Sequence, residues 1–222
     1  MKAKLVAYTQ ATENFIGLDD VEDIVAYCAR VSNPSNQMNQ ETNDRLIAYL
    51  IKHKHWSPFE MASITIEVET TRDIARQLLR HRSFSFQEFS QRYANVNEFD
   101  RSFVTREARL QDEKNRQNSI EFDDNAIKAA WIAHQNAVIE RAKLAYNWAI
   151  ENGIAKEQAR AVLPEGNTVS KLYANGTIRS WIHYLDLRMG NGTQKEHIEL
   201  ATAIAEAIVE VFPVKNYLDK SE

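Results

Sequence analysis

The sequence predicts one α+β domain, spanning residues 1–222, in which helices outnumber strands. Three observations point there. Ile64, Ile66 and Val68 alternate with Thr65, Glu67 and Glu69, the two-residue period of a strand with one face toward a core. Several other segments carry apolar residues at helical spacing behind capping residues. No break in composition and no internal repeat divides the 222 residues, a length one domain can occupy.

In chain order, Met1 to Thr9 reads as a short strand through Leu5, Val6 and Tyr8. Asp19 or Asp20 is placed to cap a helix through Val21, Ile24, Val25 and Cys28. Asn33-Pro34-Ser35-Asn36 carries turn chemistry, and Thr42 or Asn43 opens a helix through Leu46, Leu50 and Ile51. The strand at 62–70 leads into a helix over 71–80. Residues 80–93 (RHRSFSFQEFSQRY) show no period, and the polar stretch 105–119 reads as a solvated excursion or lid. A long helix over 123–151 follows Ile127, Trp131, His134, Val138 and Ala145, and Asn152-Gly153 ends it. His134, on that apolar stripe, is expected in the core. Glu157 to Leu163 forms a short helix stopped by Pro164. Residues 167–174 suit a strand, with Asn175-Gly176 as a turn. Thr177 then caps a helix through Ile178, Ile182 and Leu185, and the last helix carries Ile198, Ala201, Ile204, Ala205, Ile208 and Val211 up to Pro213.

Composition excludes several classes. With 44% hydrophobic and 26% charged residues the chain is not disordered throughout. A net charge of -4 argues against a general nucleic-acid binder, which usually needs a basic domain. One cysteine, Cys28, allows neither an internal disulfide nor a cysteine zinc cage, and its apolar stripe marks it as a packing residue. No apolar run approaches the ~18 residues of a membrane span, and MKAKLVAYTQATE lacks the apolar core of a signal peptide. A reducing, cytoplasmic compartment is expected.

The arginines carry the chemistry. Arg72, Arg76 and Arg80 are four apart and share a helix face, where like charges repel by a few tenths of a kcal/mol per pair. They form either a solvated face paired with glutamates or an anion site, since the guanidinium fork binds phosphate bidentately. Arg80-His81-Arg82 favours the second reading: three such side chains in succession suit a polyanion such as a nucleotide or dinucleotide. Ser83, Ser85 and Ser90 add donors, and Glu88 adds an acceptor for a ribose or base. The Ser–Phe alternation at 83–86 also fits an irregular core strand. His53 and His55 form a pair without an evident third ligand, so no metal site is assigned. Gly190-Asn191-Gly192 follows a helix and lacks the third glycine of a dinucleotide fingerprint.

Arg80-His81-Arg82, seven residues and then Ser90 resembles the signature of the flavin-dependent thymidylate synthases. The likeness continues through Gln91-Arg92-Tyr93 and extends upstream to Ala75-Arg76-Gln77 and His55-Trp56-Ser57-Pro58-Phe59-Glu60. Downstream, Ala159-Arg160-Ala161-Val162-Leu163-Pro164 and Leu185-Asp186-Leu187-Arg188 resemble two further blocks, in the family's order. The resemblance implies an α+β fold with a mixed or antiparallel sheet flanked by several helices. It also implies a homotetramer with active sites at subunit interfaces. The implied reaction methylates dUMP to dTMP with methylenetetrahydrofolate as carbon donor and NADPH-reduced FAD as hydride donor, without a cysteine nucleophile.

By the same resemblance, Gln77, Arg80, Glu88, Phe89, Ser90, Gln91, Arg92, Arg160 and Arg188 contact dUMP, the loop 88–92 reaching it from a neighbouring chain. His55, Ser57, Arg80, His81, Arg82, Glu88, Thr177, Ile178, Arg179 and His183 contact FAD. Arg188 is the catalytic residue: a fixed cation beside the uracil N3–C=O edge favours an N3-deprotonated or enolate-like form and places electron density at C5. Arg160 has a rival reading as a salt bridge to Glu157, one turn away. The chain departs from the family at Gln91, where glycine is common, at Met61, and at Gly190-Asn191-Gly192. Two other functions stay open. One is a non-catalytic nucleotide- or RNA-binding module with Phe84, Phe86 and Phe89 as stacking platforms. The other is a structural oligomer whose arginines bridge subunits.

Overall fold

Alternating residues build the sheet. In the computed structural model, which describes residues 1–190, 192–214 and 218, Lys2–Tyr8 forms β1. Helix α1 (Val21–Ala29) begins at Asp20, whose carboxylate accepts the Asp23 N–H at 2.8 Å. Helix α2 (Asn43–Lys52) follows. Its preceding Thr42 makes no side-chain cap and instead accepts from Arg30 at 3.1 Å. Strand β2 (Ser63–Thr71) passes directly into α3 (Arg72–Leu78), and β3 (Ser85–Glu88) lies inside the segment that shows no period.

The polar stretch 105–119 is a small hairpin. Its strands β4 (Leu110–Gln111) and β5 (Ser119–Ile120) are two residues each, too short for a periodic signal. Helix α4 (Asn125–Glu151) is capped by Asp124 and ends at Asn152, with Gly153 at φ 75°, a left-handed conformation that glycine adopts freely. Short helix α5 (Lys156–Ala159) precedes β6 (Val169–Thr177), α6 (Ile178–Arg188) and α7 (Lys195–Val209).

The four main strands run β1-β2-β6-β3, each antiparallel to its neighbour. Ile64, Ile66, Val68, Leu172 and Ala174 point from one face into a core shared with α1, α2, α3, α6 and α7. The other face is polar: Tyr173 donates to Glu67 at 2.9 Å and Asn175 to Thr65 at 2.7 Å. Trp181 of α6 is fully buried and donates its indole N–H to the Ile64 carbonyl at 3.1 Å, so the helix is fastened to the central strand by packing and a satisfied polar group. Truncating such a side chain typically costs about 3–5 kcal/mol.

Two expectations are corrected. Asn175-Gly176 is not a turn. Strand β6 runs through it to Thr177, pairing Gly176 with Ile64. The glycine is required for close approach, since a Cβ there would lie 2.5 Å from the Phe84 ring. His134 is not in the core. Helix α4 buries a different stripe, Gln135, Ile139, Ala142, Tyr146 and Ala149, and leaves Ile127, Trp131, His134, Val138 and Trp148 exposed. Among the described residues no helix is long and apolar enough to cross a membrane.

Candidate active site

Strand β2 passes into α3, and the turn that follows α3 delivers Arg80-His81-Arg82 to α6, where His81 meets Arg188. The turn is held by local bonds, His81 N–H to the Leu78 carbonyl at 3.0 Å and Phe84 N–H to the His81 carbonyl at 3.3 Å. Phe84 then anchors it, its ring edge-on to Trp181 at 4.5 Å and over Gly176. Ser180 of α6 donates to the Ser83 carbonyl at 3.2 Å.

Arg188 ends α6, where the helix dipole favours a cation. Its Nε donates to His81 Nε2 at 2.9 Å. An arginine has no acceptor, so His81 Nε2 is unprotonated and the ring is neutral. Burial first, and then the Arg188 charge, push the His81 pKa down to about 4. The bond leaves the two terminal nitrogens of Arg188 for a ligand. Among the described residues no carboxylate meets Arg80, Arg82 or Arg188. Arg76, Gln77, Leu79 and Arg80 line an open depression of about 440 Å³.

A second group adjoins the turn at the end of the sheet. Ser57 opens a 3-10 turn, Ser57–Glu60, and Ile178 N–H donates to the Ala62 carbonyl at 3.0 Å. The Thr177 hydroxyl caps α6 by accepting the Ser180 N–H. Arg179 is neutralised by Glu60 at 2.5 Å, and His183 packs edge-on against Trp56 at 4.4 Å. Burial, then Arg179, lower the His183 pKa. His55 is exposed beside Tyr49 and His53.

A third group stays apart. Glu88 accepts from Ser170 at 2.8 Å and pairs with Arg72 at 3.5 Å, at the opposite end of α3 from Arg80. The seven-residue helix between them is ~10 Å long. Phe89 N–H bonds the Lys171 carbonyl, and its ring lies on Phe99 at 4.6 Å. The Ser90 carbonyl closes a turn to Tyr93 and Ala94. Gln91 is buried, and its side-chain nitrogen has no partner among the described residues. Arg92 takes the Glu157 carboxylate at 3.3 Å, whereas Arg160 reaches only the Glu157 backbone carbonyl. The rival reading of Arg160, a side-chain salt bridge to Glu157, is not formed: that carboxylate takes Arg92. Among the described residues no bond joins this loop to Arg80, His81 or Arg188 in the same chain.

The phenylalanines do not offer stacking platforms. Phe84 is buried, Phe86 is half-buried against it and Phe89 packs on Phe99. Four residues beyond the motifs join the site: Gln77 bonds Gln194 at 2.8 Å and His197 at 3.0 Å, and these lead to Glu196 and Tyr184. For Gln194, Glu196 and His197 the signal was the polar run Gln194-Lys195-Glu196-His197 ahead of the last apolar stripe; Tyr184, inside the apolar pattern of α6, gave none.

The family model described as thymidylate synthase complementing protein matches residues 4–214. A probable flavin-dependent thymidylate synthase of Paramecium bursaria Chlorella virus 1 is 49% identical over 213 residues, covering 96% of each chain. The chain belongs to the flavin-dependent thymidylate synthase family. A member from Synechocystis is 48% identical over 192 residues, 86% of each chain. Among solved structures, the UMP/dUMP methylase PolB of Streptomyces cacaoi, bound with 5-Br dUMP, superposes with a TM-score of 0.80 at 28% identity, covering 98% of this chain and 93% of its own. For a flavin-dependent thymidylate synthase, the fold thus gathers Gln77, Arg80, His81, Arg82 and Arg188, borders them with Ser57 and Thr177 to His183, and holds the Ser90 loop elsewhere.

Proposed function

We propose that this chain methylates dUMP to dTMP, taking the carbon from methylenetetrahydrofolate. A bound FAD, reduced by NADPH, supplies the hydride. The observation that carries this reading is the uncompensated charge of Arg80, Arg82 and Arg188 around a neutral His81. A dinucleotide and a nucleoside monophosphate bring the phosphates such a donor set fits. Thr177 and Ile178 open the helix whose Ser180 donates to the carbonyl of Ser83, the residue after Arg82. Ser57 lies in the turn before the Ala62 carbonyl that Ile178 bonds, which supports the flavin on that side of the cluster. Gln77 and Arg80 border its α3 side, which supports the nucleotide there.

Arg188 does the electrostatic work. His81 holds its Nε, so the remaining guanidinium nitrogens keep one orientation without reorganisation. A cation fixed in this way stabilises negative charge developing on the pyrimidine as C5 attacks carbon, a contribution of roughly 3–4 kcal/mol for one such donor. Lysine lacks the fork and cannot be held by one nitrogen while presenting two.

We infer also that a neighbouring chain completes each site, in a homotetramer. Two observations support it. The Glu88–Arg92 loop is fastened to the Glu157 side of its own chain, with Gln91 left unsatisfied. Helix α4 exposes Ile127, Trp131, Val138 and Trp148 at spacings of four, seven and ten, sums of the threes and fours that keep residues on one helix face. The test is direct. Purified protein incubated with FAD should turn yellow, bleach under NADPH and form dTMP from dUMP only with methylenetetrahydrofolate present. Protein that takes up no FAD, or forms no dTMP with all three present, contradicts the reading.

A further inference from the structure

The Gln77 amide is held at both ends, and the direction of every bond in its chain follows from one group. Glu196 is 7% exposed and paired with Arg109 at 2.6 Å. Its carboxylate is below the ordinary pKa: burial opposes the charge, but its own backbone N–H, Gln194 and Arg109 outweigh burial. An ionised carboxylate only accepts. Gln194 Nε2, 2.8 Å away, must therefore donate to it, which turns Gln194 Oε1 toward Gln77. Gln77 Nε2 donates to that oxygen at 2.8 Å, which turns Gln77 Oε1 toward His197.

His197 Nδ1, 3.0 Å from Gln77 Oε1, must then carry the proton, and its Nε2 accepts from the Tyr184 hydroxyl at 3.1 Å. Both His197 and Tyr184 are fully buried. Burial, then the charges of Arg188 and His81, push the His197 pKa to about 3, so the ring stays neutral as the chain requires. Reversing one amide would set two donors or two acceptors face to face at both of its bonds.

We propose that Glu196 and His197 are positioning residues that lock the Gln77 amide and thereby make the site select uracil over cytosine. This rests on the reading of Gln77 as a nucleotide contact. After its two internal bonds Gln77 keeps one N–H, on its Nε2, and one lone pair, on its Oε1. A ribose hydroxyl can rotate to suit either orientation of an amide. Locking it therefore discriminates only against a group with fixed donors and acceptors, which in a pyrimidine nucleotide is the base edge. In the neutral form in which it first binds, before Arg188 draws charge onto the ring, uracil offers a carbonyl acceptor next to the N3–H donor. Cytosine reverses the pair, with an amino donor next to the N3 acceptor. A locked amide fits one order, and a free amide fits both by flipping.

The experiment measures Kd for dUMP and for dCMP on FAD-loaded enzyme, in the wild type and in Glu196→Gln, Glu196→Asp and His197→Asn. The wild type is expected to prefer dUMP by roughly tenfold or more, the discrimination of one bidentate contact. Glu196→Gln, whose amide can donate as well as accept, should lose most of that preference, chiefly by tighter dCMP binding. Glu196→Asp keeps an acceptor-only group and His197→Asn keeps a donor near Nδ1, so both should retain it. An unchanged preference in Glu196→Gln, or equal loss of both nucleotides, overturns the proposal, as does a wild type that binds the two alike. If Glu196→Gln does not fold, loss of selectivity in His197→Asn overturns it instead. A wild type that binds neither nucleotide contradicts the functional reading itself.

Discussion

The two ends of α3 carry the same residue in opposite settings. Arg72 and Arg76 sit at its start and middle, where Glu88 and Glu165 fold back on them. Arg80 lies just past its end on the same face, and neither it nor Arg82 meets a carboxylate among the described residues. The first pair is a structural ladder fixed within the chain. The second keeps its charge for something brought from outside. A row of arginines is thus not one feature: its meaning depends on carboxylates supplied from distant positions, here residue 88 and residue 165.

The largest effect expected from this contrast is at Arg188. Arg188→Lys should keep bound FAD, read from its absorbance, and lose at least about a hundredfold in dTMP formation. Near-normal turnover would remove the fork from the mechanism. Next comes the division of the site between chains. Arg188→Ala and Ser90→Ala should each be impaired alone, Ser90→Ala through weaker dUMP binding, while assemblies mixed from both, if the proposed neighbouring chain completes each site, should recover activity by pairing an intact loop with an intact arginine. Mixtures no better than the mean of the parents would put each site within one chain.

The ladder itself gives a smaller, opposite pair. Arg80→Ala should weaken dUMP about tenfold or more and leave Tm unchanged. Arg72→Ala should lower stability by about 1–2 kcal/mol, or ~2–8 °C in Tm, because it leaves the half-buried Glu88 less paired. Equal thermal losses in both would erase the distinction.

The smallest effect concerns charges buried without a counter-charge. His81 has its pKa lowered from 6.5 to about 4, so the unfolded chain takes up the proton first; this stability is complete above pH 6.5 and is lost as pH falls toward 4. Glu22 is the reverse. Burial, then its contact with Asp44, raise its carboxyl from 4.5 to about 8, so its stability is present below pH 4.5 and lost as pH rises through 8. Glu22→Gln should therefore flatten the alkaline side of the stability profile, raising Tm at pH 8 by about 2 °C or more and leaving pH 4 unchanged. A uniform shift at both pH values would mean the side chain acts by packing.

What the sequence made legible follows the range of the interactions. The alternation at Ile64, Ile66 and Val68, the cap at Asp20 (one of the two aspartates the pattern offers) and the cap at Thr177 are local, and each stands where its pattern puts it. Asn175-Gly176 was misread because the reason for that glycine, the Phe84 ring, lies 92 positions earlier in the chain. His134 was misread because α4 has two apolar stripes, and the richer one is the exposed one. The hairpin in 105–119 was hidden by composition: it is buckled to α7 by Arg109–Glu196 and Lys195–Glu107, pairs that no local pattern reveals. In the site, the motif located the arginines. Only the fold distinguished those already neutralised from those still charged, and only it exposed the chain from Glu196 to Tyr184.

The central claim is that Arg80, Arg82 and Arg188 stay uncompensated in order to hold a nucleotide beside a flavin. A crystal structure of the protein with dUMP and FAD tests it most directly. The account requires the uracil against Arg188, the flavin phosphates within hydrogen-bond reach of Arg80 or Arg82, and a Ser90 loop from another chain on the nucleotide. Ligands bound at some other surface, with these three arginines turned to solvent, would contradict it.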